Sequence, residues 1–338
     1  MHLADFDYDL PEARIAQEPR EPRDAARLLV DRGALGSDHR LVRDLPSLLE
    51  PGDVLVVNDT RVLPARLHLA RRSGGAVEVL LLDALDVERR RWEALVRPAR
   101  KIRPHEVLVT GDGSDAVEVI GRSDNGDTMV VSVLGEGDVL ERLATIGETP
   151  LPPYITTQLA DPARYQTVYA NRPGSAAAPT AGLHLTDGLL ATLQEQGVQV
   201  ARVELVVGLD TFKPISVDDP LQHPMHSERY RVPAETLEVC RAARRVVAIG
   251  TTSVRALESA ATLGELEGRT RLFIHRGYDW KLVDLLLTNF HLPRTTLLMM
   301  IDAFVGSRWK ALYETALAEE YRFLSFGDAM LLDRRAEV

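Results

Sequence analysis

The sequence predicts an α/β fold: a three-layer α/β domain interrupted by an inserted antiparallel β-barrel domain. Three observations lead there. After residue 150, short apolar runs alternate with amphipathic stretches, the pattern of β-α units on a largely parallel sheet. Between residues 66 and 149, short β-rich runs follow one another with turn chemistry and no convincing helix between them. Val54–Val57 is a continuous apolar run of the kind that forms a strand buried on both faces. The α/β domain is therefore assigned residues 1–65 and 150–338, and the barrel residues 66–149. A chain of 338 residues is long enough for two cores.

Taken in order, "ARLLVD" is the first strand, and "GDVLVVNDTRVLPARL" supplies the second, which stops at the turn pair Asn58-Asp59. In the insertion, "AVEVLLLDAL", "RRWEALVRP", "HEVLVTG", "DAVEVIGR" and "TMVVSVLG" are strands separated by "SGG", "GDGSD" and "SDNGD". Thr186 can cap the helix "DGLLATLQEQ", and Gly197 stands where a helix C-terminal glycine belongs. There follow the strand "VQVARVELVVG", the helix "AETLEVCRAARR", the strand "VVAIG", the helix "TTSVRALESAATL", the strand "DLLLTNF" and the helix "TTLLMMIDAFVG" closed by Gly306.

Composition narrows the function. Hydrophobic residues make up 45% and charged residues 27%, the balance of a globular protein in water. No run of about 18 apolar residues is present, so no membrane span is expected. The acidic start "MHLADFDYDLPEARIAQ" lacks the basic and apolar regions of an export signal. Cys240 is alone, which excludes an internal disulfide or thiolate cluster and fits a cytoplasmic protein. A formal net charge of −10 argues against nonspecific coating of nucleic acid. A local basic patch remains compatible with it: Arg97, Arg100, Lys101 and Arg103 crowd into "RPARKIRP", with Arg71, Arg72 and Arg89–Arg91 nearby in sequence. On composition alone a solvated surface is the favoured reading of this segment.

No phosphate-binding G-x-x-x-x-G-K-[ST], no zinc H-E-x-x-H and no G-x-S-x-G elbow occurs. Polar clusters do stand at the C-terminal ends of strands, where open α/β sheets bind ligands. They are "NDTR" (Asn58, Asp59, Arg61), "GLDTFKP" (Asp210, Phe212), "GTTSVR" (Thr251, Thr252, Arg255) and "NFHLPRTT" (Asn289, His291). In "GTTSVR" a helix N-terminus and Arg255 one turn along could together hold a carboxylate or phosphate; a plain helix cap is the competing reading. "HPMHSERY" brings His223, His226 and Glu228 together, but H-x-x-H on a proline-containing loop lacks a fourth ligand, so no metal is expected. His226 or Glu228 suits proton transfer better. "GSAAAPTAGLHLT", residues 174–186, is short of branched apolar residues and broken by Pro179. Small side chains would let a flat ligand such as a nucleobase approach the backbone near Gly182, with Thr180 and His184 as polar contacts. A tightly packed loop without ligand reads the same.

These stretches, with "PLPPYI", "RYQTVYA", "MHSERY", "TNFHLPRTTLLMMIDAFVG" and "YRFLSFGDAMLL", occur in an order that resembles the S-adenosylmethionine:tRNA ribosyltransferase-isomerase family of queuosine biosynthesis, from residue 5 to about 332. The match is weakest in the β-rich insertion. Departures are mild: Asp210 where a second glycine is usual, Leu185 where Phe is usual and Lys213 where Arg is common.

The resemblance implies an α/β domain with an inserted barrel. It also implies an enzyme that moves the ribosyl unit of S-adenosylmethionine to the aminomethyl group of a 7-deazaguanine (preQ1) at the wobble position of tRNA. The ribose rearranges to an epoxycyclopentane, and adenine and methionine leave. S-adenosylmethionine is then a substrate, no further cofactor or metal is implied, and a monomer is expected. The sulfonium acidifies the C5′ protons, so the chemistry needs a base, and departing adenine needs a proton donor. His184 and Asp59 are the acid/base candidates, with His226, Glu228 and His291 behind them. Arg255 with Thr251 and Thr252 would hold the methionine carboxylate. Asp210 or Asn289 would bind ribose or adenine, with Asn58, Arg61, Thr180, Gly182 and Phe212 as further substrate contacts. Arg97, Arg100, Lys101 and Arg103 become candidate tRNA contacts, since an anticodon-loop enzyme must hold phosphates. A methyltransferase would normally carry a glycine-rich loop after its first strand, and "VLVVNDTR" has none. A non-catalytic RNA-binding module would be more basic and richer in aromatics than 5%.

Overall fold

The structure, a computed structural model, describes residues 1–336 apart from Asp124, Asn125, Asp127, residues 209–214, Ser216, Asp218, Pro224 and His226. The chain packs as two compact units: Arg61–Pro152 with Pro173–Ala178, and Met1–Thr60 with Pro153–Arg172 and Pro179–Val338.

In the Arg61–Pro152 unit, six antiparallel strands close into a barrel. They are Arg66–Arg71, Ala76–Ala84, Arg91–Arg97, Met129–Val133, Asp115–Arg122 and Glu106–Val109, the last pairing back to the first through Ala70 and Val109. Alternation fills the interior: Trp92, Ala94 and Val96 are buried while Arg91 and Arg97 are exposed. Gly74 and Gly75 turn the first hairpin at φ of +91° and +97°, where side chains with a Cβ are strained. The sequence reading missed one helix here. α1 (Val139–Ile146) starts at Asp138, whose carboxylate accepts from the amides of Leu140 and Glu141 at 2.7 and 3.1 Å.

The other unit is built on a nine-stranded sheet. Its strands are β1 (Arg27–Asp31), β2 (Ser37–Leu41), β3 (Val54–Asn58), β4 (Gln199–Leu205), β5 (Glu228–Arg231), β6 (Val246–Ile249), β7 (Glu267–Thr270), β8 (Leu285–Asn289) and β9 (Ala329–Asp333), in the order β7-β5-β4-β3-β6-β8-β9-β1-β2. The expectation of a largely parallel sheet needs correction. The central four, β4-β3-β6-β8, are parallel, as are β9 and β1. The remaining neighbours are antiparallel.

Leu28, Val30, Leu55, Val57, Val247, Ile249, Leu285 and Leu287 form one buried cluster with Leu185, Leu189 and Leu193, the last two on α2 (Asp187–Glu195). Their sequence neighbours Leu29, Val56, Ala248 and Leu286 are also buried and, by the period of two, face the opposite side. Each buried Leu, Ile or Val among them contributes roughly 1.5–3 kcal/mol of burial free energy. Thr186 caps α2 by accepting from Leu189 N at 3.1 Å, and Gly197 follows it at φ +85°. α3 (Ala234–Ala242) packs on β4, α4 (Gly250–Leu263) on β3, β4, β6 and β8, α5 (Thr296–Val305) on β9, and α6 (Arg308–Ala318) on β1. The arrangement is three layers, with the C-terminal ends of β3, β6 and β8 side by side at one edge.

Candidate active site

At the end of β3, Asn58 is spent on structure. Its Nδ2 donates to Leu205 O at 3.0 Å, and its Oδ1 accepts from Leu205 N and Thr60 N, each at 3.2 Å. This ties β3 to the end of β4 and commits the amide oxygen and one of the two amide N–H donors. Asp59, next along, is 4% exposed. Its backbone is clamped by Val203 O on one side and by the amides of Asn171 and Arg172 on the other. Among the described residues its carboxylate has only loose partners, Arg172 Nε at 3.9 Å and Arg202 Nη1 at 4.0 Å. Burial raises its carboxyl from the ordinary aspartate value, against the pull of those two guanidinium groups. Such a carboxylate is a stronger base than an exposed one.

At the end of β6 the chain turns through Gly250 at φ +82° straight into α4. Among the described residues no side chain caps this helix, and the Thr252 hydroxyl is buried without a partner. A Cβ on Gly250 would touch Ala181 Cβ at 3.4 Å, so the 180–184 loop lies directly on this turn. Arg255, one turn along, is 6% exposed and pairs with Glu228 on β5. Glu228 is thus engaged by a buried cation and is not placed as a mobile proton carrier. The Arg255 Nε and Nη2 groups are buried and have no partner among the described residues. Burial pulls the guanidinium down to about 10, which leaves it charged at neutral pH.

At the end of β8, Asn289 meets the 180–184 loop. Thr180 Oγ1 donates to its Oδ1 at 3.0 Å, and its Nδ2 lies 3.1 Å from His184 Nε2. The His184 imidazole is pushed down to about 4, with burial the main cause, so it is neutral near pH 7. His291 is also buried and held down to about 3 by burial. Its ring meets Thr288 Oγ1 at 3.0 Å, its amide donates to the Tyr313 hydroxyl, and its carbonyl accepts from Tyr8.

Several contributors escaped the sequence reading. Arg23 holds the loop by donating to Leu183 O and Gln166 O. Tyr169, inside "RYQTVYA", places its hydroxyl 1.9 Å from where a Cβ on Gly182 would lie. The glycine is therefore required by Tyr169, which is the tight-packing explanation and not close approach of a ligand at that residue. Arg172 and Arg202 flank Asp59, and only their charge gave any hint of it in the sequence. Among the described residues, no hydrogen bond joins Asp59 to His184; they stand at the ends of different strands. Asp210, Phe212 and His226 lie outside the described residues. Arg61 is exposed and belongs to the barrel unit. On that unit Arg97, Arg100, Lys101 and Arg103 are all exposed, and among the described residues none of their side chains forms an ion pair. Among the described residues no group of three His, Cys, Asp or Glu could hold a metal, and no helix is long and apolar enough to cross a membrane.

A buried carboxylate, a guanidinium with N–H groups left over among the described residues at a helix N-terminus, and a neutral histidine in a small-residue loop stand at the C-terminal strand edge of an α/β domain, the edge where enzymes of this architecture bind ligands. The model of the queuosine biosynthesis protein family matches residues 3–332, and the chain belongs to that family. It is 53% identical to a protein of Symbiobacterium thermophilum named S-adenosylmethionine:tRNA ribosyltransferase-isomerase, over 98% of this chain and 100% of the relative. A relative of the same name from Rubrobacter xylanophilus is 50% identical over 98% of each chain. The crystal structure of S-adenosylmethionine tRNA ribosyltransferase from Thermotoga maritima is similar with a TM-score of 0.55 and 38% identity, over 97% of this chain and 99% of that one.

Proposed function

We propose that this chain transfers and isomerises the ribosyl moiety of S-adenosylmethionine onto the preQ1 base at the wobble position of tRNA, giving epoxyqueuosine and releasing adenine and methionine. The observation that carries this reading is the buried Arg255 guanidinium, two of whose nitrogens have no partner among the described residues, near Thr252 at a start of α4 that no described side chain caps. That is the donor set a methionine carboxylate would complete. Family membership and the names of full-length relatives support the same reaction.

In this reading Asp59 is the base. Its raised carboxyl and loose partners suit removal of a C5′ proton made acidic by the adjacent sulfonium. Glu228 keeps Arg255 charged and aligned and does not touch substrate. The exposed cations at 97–103 receive tRNA phosphates. S-adenosylmethionine is consumed as a substrate, no metal takes part, and the enzyme works in the cytoplasm as a monomer, which light scattering on the purified protein checks.

The test is chromatographic. Incubated with S-adenosylmethionine and tRNA carrying preQ1, the protein should release free adenine, and none with unmodified tRNA. Formation of S-adenosylhomocysteine would point to a methyltransferase; tRNA binding without either product would leave only a binding protein.

A further inference from the structure

Asn289 is 3% exposed, and its side-chain amide touches three groups. Its Oδ1 accepts from Thr180 Oγ1 at 3.0 Å. Its Nδ2 lies 3.1 Å from the Leu324 carbonyl oxygen and 3.1 Å from His184 Nε2. A carbonyl oxygen can only accept, so the atom facing Leu324 is the amide nitrogen. The same nitrogen therefore donates to His184 Nε2, which must carry a lone pair and no proton. A neutral imidazole has one N–H, and here it is left on Nδ1.

The Leu324 carbonyl is itself fixed. Leu324 sits at φ +69°, unusual for a residue with a Cβ, with its own amide bonded to Phe290 O at 3.2 Å. The carbonyl also accepts from Gly327 N at 2.9 Å. Gly327 has no room for a Cβ, which would lie 2.4 Å from Arg322 O. Asp328 closes the loop by accepting from the amides of Arg322 and Arg27 at 2.8 and 2.9 Å. The tight 322–328 turn thus dictates which way the Asn289 amide faces.

We propose that Asn289 is a positioning residue that locks His184 as the Nδ1–H tautomer, so that the imidazole meets the nucleoside as a neutral hydrogen-bond donor and not as a general base. Nδ1 has no acceptor among the described residues, and a ring nitrogen of adenine or a ribosyl oxygen has the lone pair to complete it. The low proton affinity of His184 agrees, since an imidazolium would be scarce at neutral pH. The role toward substrate rests on the function proposed above; the tautomer does not.

Protein labelled with ¹⁵N-histidine decides it. The chain has nine histidines, so the His184 signals are assigned by their loss in His184→Gln. In the wild type, Nδ1 should show the protonated and Nε2 the unprotonated shift at pH 7. Asn289→Asp replaces the donor by an acceptor. It should move the proton to Nε2, raise the pH at which the ring titrates, and lower kcat for adenine release at least 10-fold with KM for S-adenosylmethionine changed less than 3-fold. An Nε2–H signal in the wild type overturns the proposal even if the variant fails to fold. An Asn289→Asp enzyme with switched tautomer and wild-type kcat removes the role toward substrate. A wild type with the expected spectrum but no adenine release instead refutes the functional reading, because the spectrum is read without turnover.

Discussion

At the scale of single residues, the two buried histidines make stability depend on pH in a definite direction. In the unfolded chain an imidazole takes up its proton near pH 6.5. Burial holds His184 down to about 4 and His291 down to about 3. Between those values the unfolded chain binds more protons than the folded one, so stability present above pH 6.5 is lost as the pH falls towards 3. For His184, the interval from 6.5 to about 4 corresponds to about 3 kcal/mol. Urea unfolding at pH 7 and pH 4.5 measures this. His184→Gln should lose about 2 kcal/mol less than the wild type across that interval; an identical loss in both proteins would mean the ring is not buried neutral. What the sequence offered about His184 was its setting among small residues. It could not offer the neighbours that set its chemistry, because Asn289 and Leu324 lie more than a hundred residues away. The partner of Asn58 was hidden for the same reason: a turn residue by sequence, it bonds a strand end 147 positions along.

At the scale of elements, α4 carries the sharpest prediction. A buried hydroxyl without a partner costs stability, so removing it while keeping shape should not harm the fold. Thr252→Val is therefore expected to leave the melting temperature unchanged or raise it. If the start of α4 holds the methionine carboxylate, the same change deletes one hydrogen bond to an anion, roughly 1.5–3 kcal/mol, and KM for S-adenosylmethionine should rise at least about 10-fold with KM for tRNA constant. An unchanged KM for S-adenosylmethionine would take the carboxylate away from this helix. Arg255 is a poorer probe, since its loss strands the buried Glu228 carboxylate and costs about 3–5 kcal/mol in folding alone. The elements legible in the sequence are those with a strong apolar period: β3, β6, β8, and the helices that Thr186 and Gly306 bound. β5 ("ERYR") and β7 ("EGRT") were not legible. Edge pairing through the backbone makes them strands, with Glu228, Tyr230 and Thr270 turned inward. α1 was hidden because its period is only eight residues long and glycine turns flank it.

At the scale of the whole molecule, charge is distributed so that an acidic chain still presents a cationic surface. The formal net charge is −10, yet between Arg89 and Arg103 seven arginines and lysines face a single carboxylate, Glu93. Arg89 and Arg90 are spent on backbone carbonyls of the same unit, Pro173 for one and Gly135 and Gly137 for the other. Arg97, Arg100, Lys101 and Arg103 are not so used, and they are exposed. Cations left in water at close spacing repel one another, an arrangement that is relieved when phosphates displace their counterions. Removing a side chain that neutralises one phosphate should reduce the salt dependence of binding by a little less than one unit in the slope of log K against log salt. An Arg100→Gln/Lys101→Gln protein should therefore bind preQ1-tRNA with a slope shallower by about 1–2, measured by filter binding between about 50 and 200 mM salt. Its KM for S-adenosylmethionine should be unaffected, because neither side chain is on the unit that carries Asp59, His184 and Arg255. Parallel slopes in wild type and variant would place the tRNA elsewhere on the protein and leave 97–103 as solvated surface.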